Sequence, residues 1–133
     1  MVRIFVIDDD DLCAKVTRAK LMCEGYDATC HRGPFGALNA LRRSDYDLII
    51  LDIKMPALDG RGVIKLIRMT PGLEHVKILF HSSLGSDELK RLAEDHGADG
   101  YISKSCSSQA LAAKIKEVLN TPSRAGQGPN SGR

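Results

Sequence analysis

Residues 47–54 read DLIILDIK, four consecutive aliphatic side chains held between two aspartates. A run this short and apolar at every position has the length of a strand and lacks the polar alternation of a half-exposed one. It is the pattern of a parallel strand covered on both faces. Outward from it the form recurs at 3–8 (RIFVID), more weakly at 27–30 (DATC), then at 76–80 (VKILF) and 100–103 (GYIS). The run at 76–80, like that at 47–51, is expected to be buried on both faces.

Between these runs lie longer stretches with apolar residues three or four apart, predicting helices over 12–24, 35–42, 60–69, 87–96 and 108–119. The punctuation agrees: Gly25 follows the first helix, Pro34 opens the second, Pro71-Gly72 closes the third and Gly97 closes the fourth. Regular alternation of strand and helix predicts an α/β fold on a parallel sheet. Right-handed crossovers then send every strand's C-terminal end to one edge, where ligands bind. The polar residues at those ends are Asp8 and Asp9, Asp52, Ser82 and Ser83, and Lys104.

At 133 residues, 43% hydrophobic and 27% charged, the chain suits one globular core. Residues 1–120 are expected to form it. From Thr121 the sequence TPSRAGQGPNSGR has no periodicity and reads as a disordered tail or the start of a linker. The net charge of +2 comes from that tail: two of the 19 bases, Arg124 and Arg133, lie in it, leaving 17 bases against 17 acids in residues 1–120. No nucleic-acid surface is implied for this domain. Cys13, Cys23, Cys30 and Cys106 show neither C-x-x-C spacing nor a disulfide framework, so reduced packing thiols are expected, and Cys30-His31 has no second pair to complete a metal site. No apolar run approaches a membrane span and no signal-peptide layout opens the chain, which points to the cytoplasm and away from a membrane.

Singly, each edge residue has a structural explanation. Asp10 or Asp11 suits the cap of the first helix, Asp52 a loop, Ser82 or Ser83 a turn, and Lys104 the solvent. Together they bring three carboxylates, a hydroxyl and an ammonium to one place. Two carboxylates about 4 Å apart repel by roughly 4 kcal/mol at an effective dielectric of 20, so a compensating cation is expected. Hard oxygen ligands suit Mg²⁺, or Mn²⁺.

The segments FVIDDD (5–10), LDIKMPALDG (51–60), ILFHSS (78–83) and GADGYISK (97–104) resemble the motifs of the response-regulator receiver family of bacterial two-component signalling, the CheY-like superfamily. The likeness covers residues 2–119 and lies in order and spacing: 30 residues from Asp52 to Ser82, 22 from Ser82 to Lys104, and Tyr101 three before the lysine. It implies a doubly wound five-stranded parallel sheet of order 2-1-3-4-5 with five helices, the flavodoxin-like fold. It also implies a signalling switch more than an enzyme. Asp52 would accept a phosphoryl group from a sensor histidine kinase or phosphotransfer protein. Asp9, the Lys54 backbone carbonyl and, through water, Asp8 would hold the metal with Asp52. Ser82 and Lys104 would contact phosphoryl oxygens, and Ser83 would leave room for the group. Gly60 would turn the chain into the third helix. Tyr101 would respond with Ser82, changing the face of the fourth helix, fifth strand and fifth helix for a downstream protein, an output domain or a second copy.

The chain departs from the family pattern in places. Ser105 stands where the family has a proline after the lysine, joined by a cis peptide. A cis Lys-Ser bond costs about 2.5–4 kcal/mol, which leaves open a trans loop that places Lys104 differently. Lys54 and Leu84 occupy positions that tune autodephosphorylation in the family. His81 ends an otherwise apolar strand and is read as a core or rim histidine with a satisfied ring nitrogen. Three rival readings fit the sequence less well. A pseudo-receiver, binding without phosphorylation, would usually have lost an acid, the acceptor or the lysine. A phosphatase of the haloacid dehalogenase type needs an acid two residues after its nucleophile, where this chain has Lys54. A flavin or nucleotide binder would not put four aspartates after its first strand.

Overall fold

Strands and helices alternate in the computed structural model, which describes residues 1–54 and 60–122. Their order is β1 (Arg3–Ile7), α1 (Asp11–Cys23), β2 (Asp27–His31), α2 (Ala37–Arg42), β3 (Leu48–Asp52), α3 (Gly60–Arg68), β4 (Lys77–Ser82), α4 (Ser86–His96), β5 (Gly100–Ser103) and α5 (Ser108–Leu119). Residues 55–59 of the LDIKMPALDG motif and residues 123–133 of the tail lie outside the described residues.

The five strands form one sheet of order β2-β1-β3-β4-β5, every pair parallel. β3 is central and all five of its side chains are buried, as are five of six in β4. Alternation along the strands sorts the core into two layers. Phe5, Ile7, Ile49, Leu51, Ile78 and Phe80 pack with Leu41 of α2, Ile64 and Ile67 of α3, and Leu89 of α4. Ile4, Val6, Leu48, Ile50 and Leu79 pack on the other side with Leu21 of α1 and with Leu111, Ile115 and Val118 of α5. Each fully buried aliphatic contributes about 1.5–3 kcal/mol, so the sheet that carries the site is also the main source of stability.

The helix ends follow local chemistry. Asp10 caps α1, its Oδ1 accepting from the Leu12 and Cys13 amides at 3.0 and 3.1 Å. Ser107 caps α5 through the Ala110 amide at 3.0 Å. Gly97 ends α4 at φ +74°, a conformation that favours glycine. Gly100 serves another purpose: a Cβ there would stand 2.7 Å from Val118 Cγ2, so a side chain at this position would force β5 or α5 to shift.

Most boundaries fall within a residue or two of the sequence reading. α2 begins at Ala37, not at residue 35, because Gly36 takes φ +80° and breaks the helical path, while Pro34 only opens the turn closed by the Ala37 amide on its carbonyl at 3.2 Å. β4 runs two residues past Phe80, through His81 at its end and Ser82, which the sequence places just beyond it, and both pair in register with Ile102 and Ser103. Among the described residues no helix is long and apolar enough to cross a membrane.

Candidate acidic site at the sheet edge

Three strands deliver the site. β1 ends at Ile7, so Asp8 and Asp9 follow it at the C-terminal edge; Asp52 is the last residue of β3; Lys104 follows β5. Hydrophobic strands bury whatever caps them, and Asp8 and Asp52 are 1% and 3% exposed. Carboxylate oxygens of Asp8, Asp9 and Asp52 lie within 4.8 Å of one another. Into this cluster Lys104 projects its ammonium, 3.0 Å from Asp8 Oδ2 and 3.2 Å from Asp52 Oδ2. The Asp10 amide donates to Asp8 Oδ1 at 2.9 Å, and the Lys54 amide to Asp52 Oδ1 at 3.2 Å.

One ammonium serves two buried carboxylates and a third nearby, so negative charge is left over. Burial pushes the Asp52 carboxyl up to about 6, the Asp8 charge adds to this, and Lys104 only partly opposes it. Burial acts against the charge on Lys104 as well, but its hydrogen bond to Asp8 and the charge of Asp52 outweigh that and hold its pKa above the usual lysine range. A cluster of hard oxygens with an unpaid negative charge fits a small divalent cation. The three aspartates could hold one.

The cluster opens onto a cavity of about 530 Å³ whose lining includes Asp9, Asp52, Lys54, Ser83 and Lys104. Ser83 borders this space, whereas the Ser82 hydroxyl is fully buried and accepts the Leu84 amide at 3.2 Å. Tyr101 is half-buried against the α3/α4 layer, with the Lys114 ammonium 5.5 Å from its ring centroid. A cleft of about 380 Å³ at the opposite sheet edge is lined by Asp45, Tyr46, Asp47, His75 and Lys77 among others.

The Lys104–Ser105 peptide, left open by the sequence, is trans, and Lys104 still reaches Asp8 and Asp52. One expectation needs correction. His81 is buried, but its Nε2 has no hydrogen-bond partner. Burial, reinforced by the charges of Lys104 and Lys20, pushes it down to about 4, so it is neutral at physiological pH. The sequence reading also missed Lys20 of α1, whose ammonium donates to the carbonyls of Cys106 at 2.7 Å and Lys104 at 3.4 Å. On the sequence it is an ordinary lysine of a helix's last turn, and no spacing marks it. Of the Cys30-His31 pair, the Cys30 thiol bonds the Ala14 carbonyl and His31 Nδ1 the Gly33 carbonyl. All four cysteines are free, and Cys23 is exposed rather than packed.

Comparison with known proteins agrees with this fold. The chain is 32% identical over 119 residues to the transcriptional regulatory protein PcoR of Escherichia coli, covering 90% of this chain and 52% of that protein. It is 31% identical over 130 residues to the response regulator MprA of a Mycobacterium species, covering 98% of this chain and 55% of the relative. The chain thus spans about half the length of these curated relatives. Among solved structures, the response regulator TrrA of Thermotoga maritima, in complex with Mg²⁺–BeF, superposes with a TM-score of 0.76 at 31% identity, covering 89% of this chain and 99% of that one. The model of the response regulator receiver domain matches residues 4–116. With its sheet order and its edge of acids and lysine, the chain belongs to the response regulator receiver domain family.

Proposed function

We propose that Asp52 is the phosphoryl acceptor of a two-component or phosphorelay system, served by a sensor histidine kinase or phosphotransfer protein, with Mg²⁺ or Mn²⁺ as the cation. The observation that carries this reading is the meeting of Asp8, Asp9 and Asp52 with the Lys104 ammonium at one sheet edge. The Mg²⁺–BeF complex of the Thermotoga relative supports the same chemistry. Asp8, Asp9, Asp52 and the Lys54 backbone carbonyl would hold the cation. When bound it would supply positive charge to the phosphoryl oxygens.

Asp52 attacks phosphorus as its carboxylate, the form it takes above about pH 6. An Oδ–P bond forms as the N–P bond of phosphohistidine breaks, and the departing imidazole takes a proton from water. Lys104, already against Asp52, neutralises an oxygen of the incoming group, and Ser83 is small enough to admit it. Phosphorylation adds about −1.5 to −2 charges and three strong acceptors. Ser82 then leaves the Leu84 amide for a phosphoryl oxygen, Tyr101 turns into the space behind it, and the α4–β5–α5 face changes shape for a partner protein, an output domain or a second copy. The domain is a switch in this reading, working in the cytoplasm. Residues 1–120 form the receiver and 121–133 a tail or linker, a division supported by α5 ending at Leu119 and the family match at 116.

Acetyl phosphate or phosphoramidate with Mg²⁺ should add one phosphoryl group by intact-mass measurement, and Asp52→Asn should take none. No mass increase in the wild type at saturating donor and metal would leave a receiver fold that acts without phosphorylation. Beryllofluoride should move NMR signals at Tyr101 and along α4, and much less in Ser82→Ala. Shifts confined to the loops around Asp52 would remove Ser82 and Tyr101 from the switch.

A further inference from the structure

The loop that presents Lys104 lacks the proline turn usual after this lysine, so something else must fix it. Its backbone is tied on two sides. On the sheet side the Lys104 amide donates to the Ser82 carbonyl at 2.9 Å, which extends the β4–β5 pairing by one residue. On the helix side the carbonyls of Lys104 and Cys106 both face α1 and accept from the Lys20 ammonium at 3.4 and 2.7 Å. Within the loop, Ser103 and Ser105 close a small turn: their hydroxyls lie 2.9 Å apart, and the Ser105 amide donates to Ser103 Oγ at 3.2 Å. Among the described residues Lys20 has no carboxylate partner, so these two carbonyls are where its charge is spent.

We infer that Lys20 is a positioning residue: its ammonium clamps the trans 104–106 loop to α1 and so holds the Lys104 ammonium against Asp8 and Asp52. A lysine from the last turn of one helix thereby replaces, through space, a constraint that a proline supplies along the chain. The 2.7 Å bond to the Cys106 carbonyl has the length of a charge-assisted one, and the looser 3.4 Å approach to the Lys104 carbonyl adds a second tie on the other side of Ser105. The place of Lys104 is consequential because phosphoryl transfer depends on positioned charge, and a displacement of about 1 Å can cost as much as about 10²-fold in rate. The functional half of this inference rests on Asp52 being the phosphoryl acceptor; the placing of Lys104 rests on geometry alone.

Two measurements separate those halves. In NMR of the lysine side-chain amino groups, the Lys104 ammonium should be slow to exchange in the wild type because it is paired with buried Asp8, and should lose that protection in Lys20→Met while Lys20→Arg keeps it. This readout needs no phosphorylation. Protection unchanged in Lys20→Met overturns the clamp. In phosphorylation by acetyl phosphate at saturating donor and Mg²⁺, Lys20→Met should be slowed about tenfold, and Lys20→Arg should recover most of the loss. In a Lys104→Ala background the same Lys20→Met change should cost less than about twofold, since its effect runs through Lys104. An equal loss in both backgrounds would make Lys20 a merely structural residue and refute the inference. A wild type that takes no phosphoryl group sinks the acceptor reading instead, and leaves the amino-group experiment to decide the clamp.

Discussion

Two buried titratable groups one strand apart, Asp52 on β3 and its register partner His81 on β4, are displaced in opposite senses, and the effect of Asp52→Asn follows from that. In the folded chain Asp52 is raised from 3.8 to about 6, and His81 is lowered from 6.5 to about 4. A carboxyl with a raised folded pKa binds protons more tightly when folded, so between pH 4 and 6 it makes stability fall as pH rises. A histidine with a depressed folded pKa does the reverse: the unfolded chain binds the extra proton, and stability rises with pH over about 4 to 6.5. At 1.36 kcal/mol per pKa unit each effect amounts to about 3 kcal/mol. In the metal-free wild type the two nearly cancel. Asp52→Asn removes one of them. Urea denaturation in EDTA should then show a variant more stable than wild type at pH 7, by about 1–3 kcal/mol, and losing that advantage as pH falls to 4. At about 4 °C per kcal/mol for a domain of this size, the melting point at pH 7 should rise by about 4–12 °C. Mg²⁺ should narrow the gap, because the cation favours ionised Asp52 in the wild type and binds the variant more weakly. A variant less stable than wild type at pH 7 without metal, or a stability difference that does not change between pH 4 and 7, would refute the assignment of Asp52 as an incompletely compensated buried charge.

The same structure makes further predictions. His81→Leu should raise stability at pH 7 by about 1 kcal/mol, since it removes a buried ring nitrogen with no partner, and a loss of stability in urea denaturation would mean that Nε2 is satisfied in solution. Asp99→Ala should destabilise by about 3–5 kcal/mol: Asp99 Oδ2 receives both the Arg68 guanidinium at 2.9 Å and the Ile78 amide at 2.8 Å, so its loss removes the carboxylate facing a largely buried Arg68, which keeps the neutral carbonyls of Val76, Glu74 and Gly97. A change below about 1 kcal/mol would show that solvent compensates. Gly100→Ala should cost about 1–3 kcal/mol through the approach of its Cβ to Val118, and pairing it with Val118→Ala should recover most of the loss; a double variant no better than the single would place the strain elsewhere.

Much of the fold was legible because it depends on patterns repeated over many residues. Four aliphatics at 48–51 and three or four in the neighbouring runs mark the strands, and parallel pairing with right-handed crossovers fixes which end of each strand meets which. Together these bring Asp8, Asp9, Asp52 and Lys104 to one edge. The Asp10 cap and the Gly97 stop follow from backbone chemistry within a few residues. Where the reading slipped, it was over one or two positions whose backbone angle has no signature in residue type: a left-handed Gly36 ahead of α2, and a polar His81-Ser82 pair that continues a strand because its neighbour offers partners.

The order of elements and the inventory of charges at the edge are legible along the chain, since both follow from local periodicity and strand polarity. How those charges are shared depends on the packed molecule. That Lys104 bridges Asp8 and Asp52, that Lys20 holds the loop 84 residues away in sequence, that Arg68 meets Asp99, and that His81 is left with an unpaired nitrogen are all matters of a few ångströms between side chains from different elements. Such distances depend on how helices roll and lie against the sheet, which is settled by close packing of the whole core and leaves no periodic trace along the chain.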